Sequence, residues 1–330
     1  MIKQKNVPLI AGGVVVVLGA IWYGLGAYAS SKAEDRLVAY LDKNGQRANV
    51  QWKSVSASIF GSATIEGVTI GAPGKPMALI ERVKVSGVRD DRDRQSGDVV
   101  LENATLPDGK SPLTQLSVFL QAGKADLPAA TLNVRWDYRR DDDKAEVNVG
   151  LRQPKALDAD LALELDHLGP AVAAFSDPTK LAGVAMAGAF GGLGGLGRMD
   201  SSLASLAQVR VKSLNLKVKD DGYVQRSIVL FKRYNIQAVP GEGSAGKQRD
   251  KKFNEAVKEN RKACESRNLM AGFKDNGDAC KALANFLGGD DDTLKFETDA
   301  RAPVSLAELL AGGMRDSQKT LALFSPTLSN

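Results

Sequence analysis

The chain has 330 residues, with 44 Lys and Arg against 39 Asp and Glu, a formal net charge of +5, one histidine and two cysteines. Such a length exceeds one ordinary domain and allows a sizeable core. Charges of both signs are interspersed, and the densest basic cluster, GKQRDKKF, carries its own acid. A basic face with interleaved aromatics is therefore missing, and nucleic acid is not an expected partner.

The first element is Val7–Ala29, 23 residues without a charge, which is long enough to span a bilayer. A cleaved signal peptide is the competing reading, with AYASS as its cleavage site. The apolar run is longer than a signal requires, and Trp22, Tyr23 and Tyr28 gather at its far end as interface residues do. The expectation is a single transmembrane anchor over residues 1–30. With Lys3 and Lys5 on the cytoplasmic side, the bulk of the chain would lie in the periplasm of a bacterium, attached to the inner membrane.

An amphipathic helix over 31–48 follows, with Leu37, Val38 and Leu41 on one face. Residues 49–168 then read as antiparallel sheet. Val55, Ala57, Ala63 and Ile65 keep one alternation until Gly67, after which Val68 and Ile70 take the other; a slip of this kind at a glycine predicts a bulge. GAPGKP is a turn, and MALIERVKVSGV returns with Met77, Leu79, Val83 and Val85 on a common face. RDDRDRQSG is a charged turn, DVVLENATL a strand, and LTQLSVFLQAG either strand or helix. Three alternating strands follow, marked by Leu132, Val134, Trp136 and Tyr138, by Val147, Val149 and Leu151, and by Leu157, Leu161, Leu163 and Leu165. One wet and one apolar face indicate antiparallel pairing.

Composition shifts to Gly, Ala and Leu over 169–207, a helical linker. Residues 208–330 begin with a predicted hairpin turning at Asp221 and Gly222, with a second slip at Ser213. A pair of helices follows, split at GFKDNGD, with Cys264 late in the first and Cys280 early in the second. A bridge between them would staple the pair, an arrangement suited to an oxidising compartment; two free thiols are the alternative. DTLKFETDARAP is a last strand, PVSLAELLAGG a short helix, and the tail beyond Met314 has little to hold it.

Candidate chemistry is sparse. His167 is the lone histidine, at a strand end, and no triad, zinc or Walker motif accompanies it. Gly192, Gly194 and Gly197 match G-x-G-x-x-G, but no parallel β-α-β context surrounds them. The Asp141–Asp143 and Asp290–Asp292 runs lack calcium-loop spacing and read as turns. No catalytic residue, metal or cofactor is expected.

The order of cationic start, glycine-containing span, amphipathic helix and VSASIFGSATIEGVTIGAPGKPMALIERVKVSGV resembles the membrane-proximal signature of bacterial AsmA-like and YdgA-like envelope proteins. LNLKVKDDGYVQRSIV and LKFETDARAPVSLAELL are similar to the carboxyl-terminal half of YdgA-like families. The resemblance implies a membrane-anchored, periplasmic β-rich body and, from the AsmA-like relatives, a curved sheet whose apolar groove serves lipid transport or envelope homeostasis. This chain lacks their long repeat array.

The expected fold is thus mainly β with α: a transmembrane helix, curved antiparallel sheet and a helical-hairpin insertion. The expected function is non-catalytic, with an apolar sheet face that holds a phospholipid or fatty acyl chain; binding of another envelope protein through a sheet edge or the helix hairpin is the alternative, and an envelope hydrolase a third. Val55, Ile65, Val83, Val134, Trp136, Val149 and Leu163 line either that groove or the core of a sandwich.

Overall fold

A computed structural model of the chain describes residues 33–43, 47–58, 61–116, 126–175, 207–298, 302–309 and 317–330. The first element is helix α1, Ala33–Lys43. Leu37 and Leu41 stand one turn apart on it and are buried, while Val38 is half-buried. A 3-10 turn at Arg47–Asn49 leads into β1 (Val50–Gln51), β2 (Ser54–Ala57), β3 (Ala63–Ala72), β4 (Lys75–Asp90) and β5 (Arg94–Thr105). After a helical turn α2 (Leu113–Leu116) come β6 (Ala130–Arg139), β7 (Lys144–Gln153) and β8 (Leu157–Asp166), then helix α3 (Gly169–Phe175). The chain continues with β9 (Arg210–Asp220), helices α4 (Tyr223–Asn235), α5 (Ala245–Ser266) and α6 (Asn276–Gly288), then β10 (Thr293–Glu297), β11 (Val304–Ser305), α7 (Ser317–Ala322) and β12 (Thr327–Ser329).

The twelve strands among the described residues form one sheet, ordered β1-β3-β4-β5-β6-β7-β8-β9-β10-β12, with β2 also on β3 and β11 also on β9. Every pairing is antiparallel. Short turns place β3, β4 and β5 side by side, and likewise β6, β7 and β8, as hairpin connections require, whereas longer connections join β5 to β6 and β8 to β9. β8 pairs with β9 along ten register partners, so strands from 49–168 and from 208–330 share this sheet. A sandwich of two sheets is therefore corrected to a single sheet with helices against it.

At Gly67 the expected bulge is replaced by a different device. Burial does change phase there, from Ala63 and Ile65 to Val68 and Ile70. Yet the pairing with β4 keeps one offset, Glu66 opposite Arg82 and Val68 opposite Ile80; the shift in that ladder lies farther on, between Ile70 and Gly71. β4 inverts at the same level, from Ala78 and Ile80 to Val83 and Val85, which moves Met77 and Leu79 off the buried face expected for them. β5 inverts beside it, from Val99 and Leu101 to Ala104. Gly67 and Asn103 have φ of +62° and +55°, a left-handed conformation that reverses strand alternation and that Gly and Asn tolerate best. Asn103 Nδ2 donates to Glu81 Oε2 on the intervening strand at 2.6 Å. A crease thus crosses three strands in register.

The second slip is a bulge. On β9, Ser213 faces Glu164 and Val211 faces Leu165, leaving Lys212 as the extra residue. The hairpin expected after it is overturned: YVQRSIVLFKRYN is helix α4. Its valine, isoleucine and aromatics favour strand, but Val224 and Ile228 are a turn apart and bury one face. Asp220 accepts from the Val224 and Gly222 N–H groups at 2.8 and 3.1 Å, satisfying donors at the helix start.

The expected transmembrane segment Val7–Ala29, with Trp22, Tyr23 and Tyr28, lies outside the described residues. Among the described residues no helix is long and apolar enough to cross a membrane. The longest, α5, is 22 residues of AGKQRDKKFNEAVKENRKACES and carries too much charge. The transmembrane helix is therefore removed from the fold description, and the single-pass inner-membrane, periplasmic location that depended on it is withdrawn. The glycine-rich tract with Gly192, Gly194 and Gly197 also lies outside the described residues.

Candidate functional site: two faces of one sheet

The apolar face divides into two halves. Around β3–β5, Ile65, Val83, Val85, Val99 and Leu101 are each 2% exposed or less and form one cluster with Leu37 and Leu41 of α1 and with Trp136. Close packing there leaves no room above Gly97: a Cβ at that position would come within 2.4 Å of the Trp136 ring. Val55 and Val134 are half-buried against the same cluster. Of the seven residues proposed as groove or core, five thus belong to or border this packed end.

Beyond β6 the same face stays apolar, but its side chains are half-buried. The register aligns Val134, Val149, Leu161, Leu216 and Phe296 in one row across five strands. Trp136, Val147, Leu163 and Leu214 make a second row. Val149 and Leu163, the other two proposed residues, therefore stand in adjacent rows on this half. Its far end meets the helices: Val218 and Leu294 pack against Val224, Ile228, Phe253 and Phe286, and Leu214 against Val211, Val304 and Phe324.

The opposite face is polar and carries cross-strand ion pairs. Glu66, Arg82 and Glu102 make a ladder at 2.8 and 3.0 Å, joined by Lys84 at 2.6 Å from Glu102. Lys84 and then Arg82 hold the Glu102 carboxyl below its ordinary value of 4.5. Arg94 likewise lowers Asp137. Burial, then the hydrogen bond to Asp143, pushes the Tyr138 phenol up to about 12. Asp143 also accepts from Gly169 N and lies 4.0 Å from His167 Nδ1, so the lone histidine stands beside a carboxylate that already holds a strand end together.

In the middle of this polar face is a hollow of about 710 Å³, which alternation in the sequence did not suggest. Gly150 and Ala162 lie diagonally across β7 and β8 and raise almost no side chain above the sheet. Asn133, Asn148 and Asn215 stand around them, with Arg135, Arg152, Lys217 and Lys295 farther out. A second depression holds Asp220, Asp221, Asp290, Asp291 and Asp292 beside Gly222 and Gly289. Several of these acids already serve the backbone, Asp220 at α4 and Asp221 by accepting from Lys155 N at 2.6 Å. No group of three or more His, Cys, Asp or Glu among the described residues could hold a metal ion.

Cys264 and Cys280 are bonded, with Cα atoms 5.9 Å apart, and staple α5 to α6. The carboxyl-terminal tail, expected to be loose, is instead built into this layer. β12 pairs with β10, and the Asn330 side chain donates to Ala282 O and Thr293 O at 3.1 and 3.0 Å. Three residues of strand and one amide give little sequence signal, which is why the tail reads as unanchored. Comparison with protein-family models and with characterised proteins finds no match for the chain.

Proposed function

We propose that the protein is a non-catalytic binding protein that holds an acyl chain against the apolar face of β6–β9. The observation that carries this reading is the row Val134, Val149, Leu161 and Leu216, paired strand to strand yet only half-buried. The row is aliphatic and offers no side-chain donor or acceptor, so the ligand that complements it is a hydrocarbon. The likeness to AsmA-like proteins points to the same class of ligand.

The test is titration of the delipidated full chain with 11-(dansylamino)undecanoic acid, followed by dansyl fluorescence. Saturable enhancement is expected, together with its loss in Leu161→Lys while the melting temperature stays within a few degrees of the parent. Absence of saturable uptake by the parent chain would sink the reading. Uptake undiminished in Leu161→Lys would place the acyl chain elsewhere.

A second reading, docking of a partner protein, is favoured by α4. Val229, Phe231 and Tyr234 are 63%, 45% and 72% exposed, so this one helix carries several large apolar side chains in solvent. The sheet edges suit docking less well, because β1 has two residues and β12 three.

A further inference from the structure

We propose that the hollow on the polar face is a second ligand site, independent of the acyl reading, and that it takes an acidic oligosaccharide. Its floor explains why a ligand can approach the sheet. Gly150 has no side chain, and Ala162 is one strand away beside it. A Cβ on Gly150 would come within 3.3 Å of Asp160 Oδ1, so the carboxylate leans over the space the glycine leaves. The resulting volume, about 710 Å³, falls in the range of small-ligand sites.

The chemistry of the walls selects the ligand. Among the described residues Asn133 and Asn148 have no side-chain hydrogen-bond partner, and Asn215 uses only its oxygen, accepting from Thr298 N at 3.3 Å. An amide both donates and accepts, as does a sugar hydroxyl, so unpartnered amides around a shallow floor of Gly150 and Ala162 match a hydroxyl-rich molecule. Charge adds the acidic component. Four basic side chains line the hollow against two acidic ones, Asp160 and Glu297. Arg135 is held by Asp98, Arg152 by Asp160, and Lys295 by the Asn330 carbonyl. Lys217 has no such partner among the described residues and is exposed, which leaves it as the cation for a ligand carboxylate. The one aromatic in the lining, Phe296, belongs to the apolar row of the opposite face and packs edge-on against Phe273 at 5.9 Å, so no ring is turned into the hollow. Nucleic acid would need stacking surfaces, which this hollow does not present.

The experiment is calorimetric titration of the full chain with tetragalacturonate, and with cellotetraose as its uncharged counterpart. Tetragalacturonate is expected to bind one site, and Lys217→Glu to weaken it by about tenfold or more, the effect of losing a charged hydrogen bond. Asn148→Ala should weaken it less. Lys219→Glu makes the same charge change on the same face but outside the hollow and should leave the affinity unaltered. All three positions are exposed on strands, so the variants keep the fold. Absence of saturable binding overturns the site. Equal weakening by Lys219→Glu overturns it in favour of diffuse attraction to a basic surface, and equal affinity for cellotetraose overturns the requirement for an acid. Because the acyl test reads the other face, either site can fail without the other.

Discussion

The β3–β5 half of the sheet and the β6–β9 half have the same kind of sequence and different degrees of closure. Both alternate apolar with polar residues, and both pair their apolar side chains across strands. In the first half α1 brings Leu37 and Leu41 onto the apolar face, and Val83, Val85 and Val99 are 1% exposed or less. In the second, Val149, Leu161 and Leu163 are half-buried. Apolar alternation shows that a strand has a face to cover; whether it is covered depends on what arrives from elsewhere in the chain.

Paired truncations test that contrast most strongly. Leu101→Ala on β5 should cost about 2–5 kcal/mol, since a fully buried leucine leaves a cavity that rigid neighbours cannot fill. Leu161→Ala on β8 should cost about 1 kcal/mol, because its side chain gains less from burial. Urea denaturation of the two variants measures the difference, and equal losses would erase the distinction between the halves.

The disulfide sharpens the same contrast from the helical end. Replacing both Cys264 and Cys280 by serine releases a link spanning 16 residues and should cost about 3 kcal/mol. Amide exchange is expected to quicken in α5 and α6 while β3–β5 stays protected. Quickening spread evenly over both regions would mean that the helices and the packed end unfold as one unit.

Acidification gives the smallest effect and bears on the first half. Glu102, held down by Lys84 and Arg82, stabilises the fold fully above its ordinary value of 4.5 and loses that contribution as pH falls toward its depressed folded value. Melting temperature should therefore decline below that pH, and Glu102→Gln should flatten part of the decline. The ladder is partly solvated, so the change is modest. An identical decline in the variant would assign the acid sensitivity to other carboxylates, Asp137 among them.

Much of the fold was legible where one short-range signal dominated. The meander over β6–β8 follows from alternation that runs unbroken through Leu132, Val147 and Leu163, and the turn-separated helices α5 and α6 follow from composition and the GFKDNGD break. The site was less legible. α4 contains strand-favouring residues and is helical because its N-terminus is satisfied by Asp220 and its inner face meets α5 and α6. The inversion at Gly67 looked like a one-strand bulge because a single strand cannot show that its neighbours invert with it. The polar hollow was not anticipated, since Gly150 and Ala162 are twelve positions apart and become neighbours only through the β7–β8 register.

By itself the sequence determined that the strands are antiparallel, that each has one apolar face, and that Cys264 and Cys280 flank a helical turn. These are local matters, settled by side-chain period and by turn and capping chemistry within a few residues. Tertiary structure alone decided that the twelve described strands join one sheet, that α1 seals one half of its apolar face, and that small residues on neighbouring strands open a hollow in the polar one. Closure and concavity arise from contacts between residues far apart in the chain, and periodicity along one segment does not encode them.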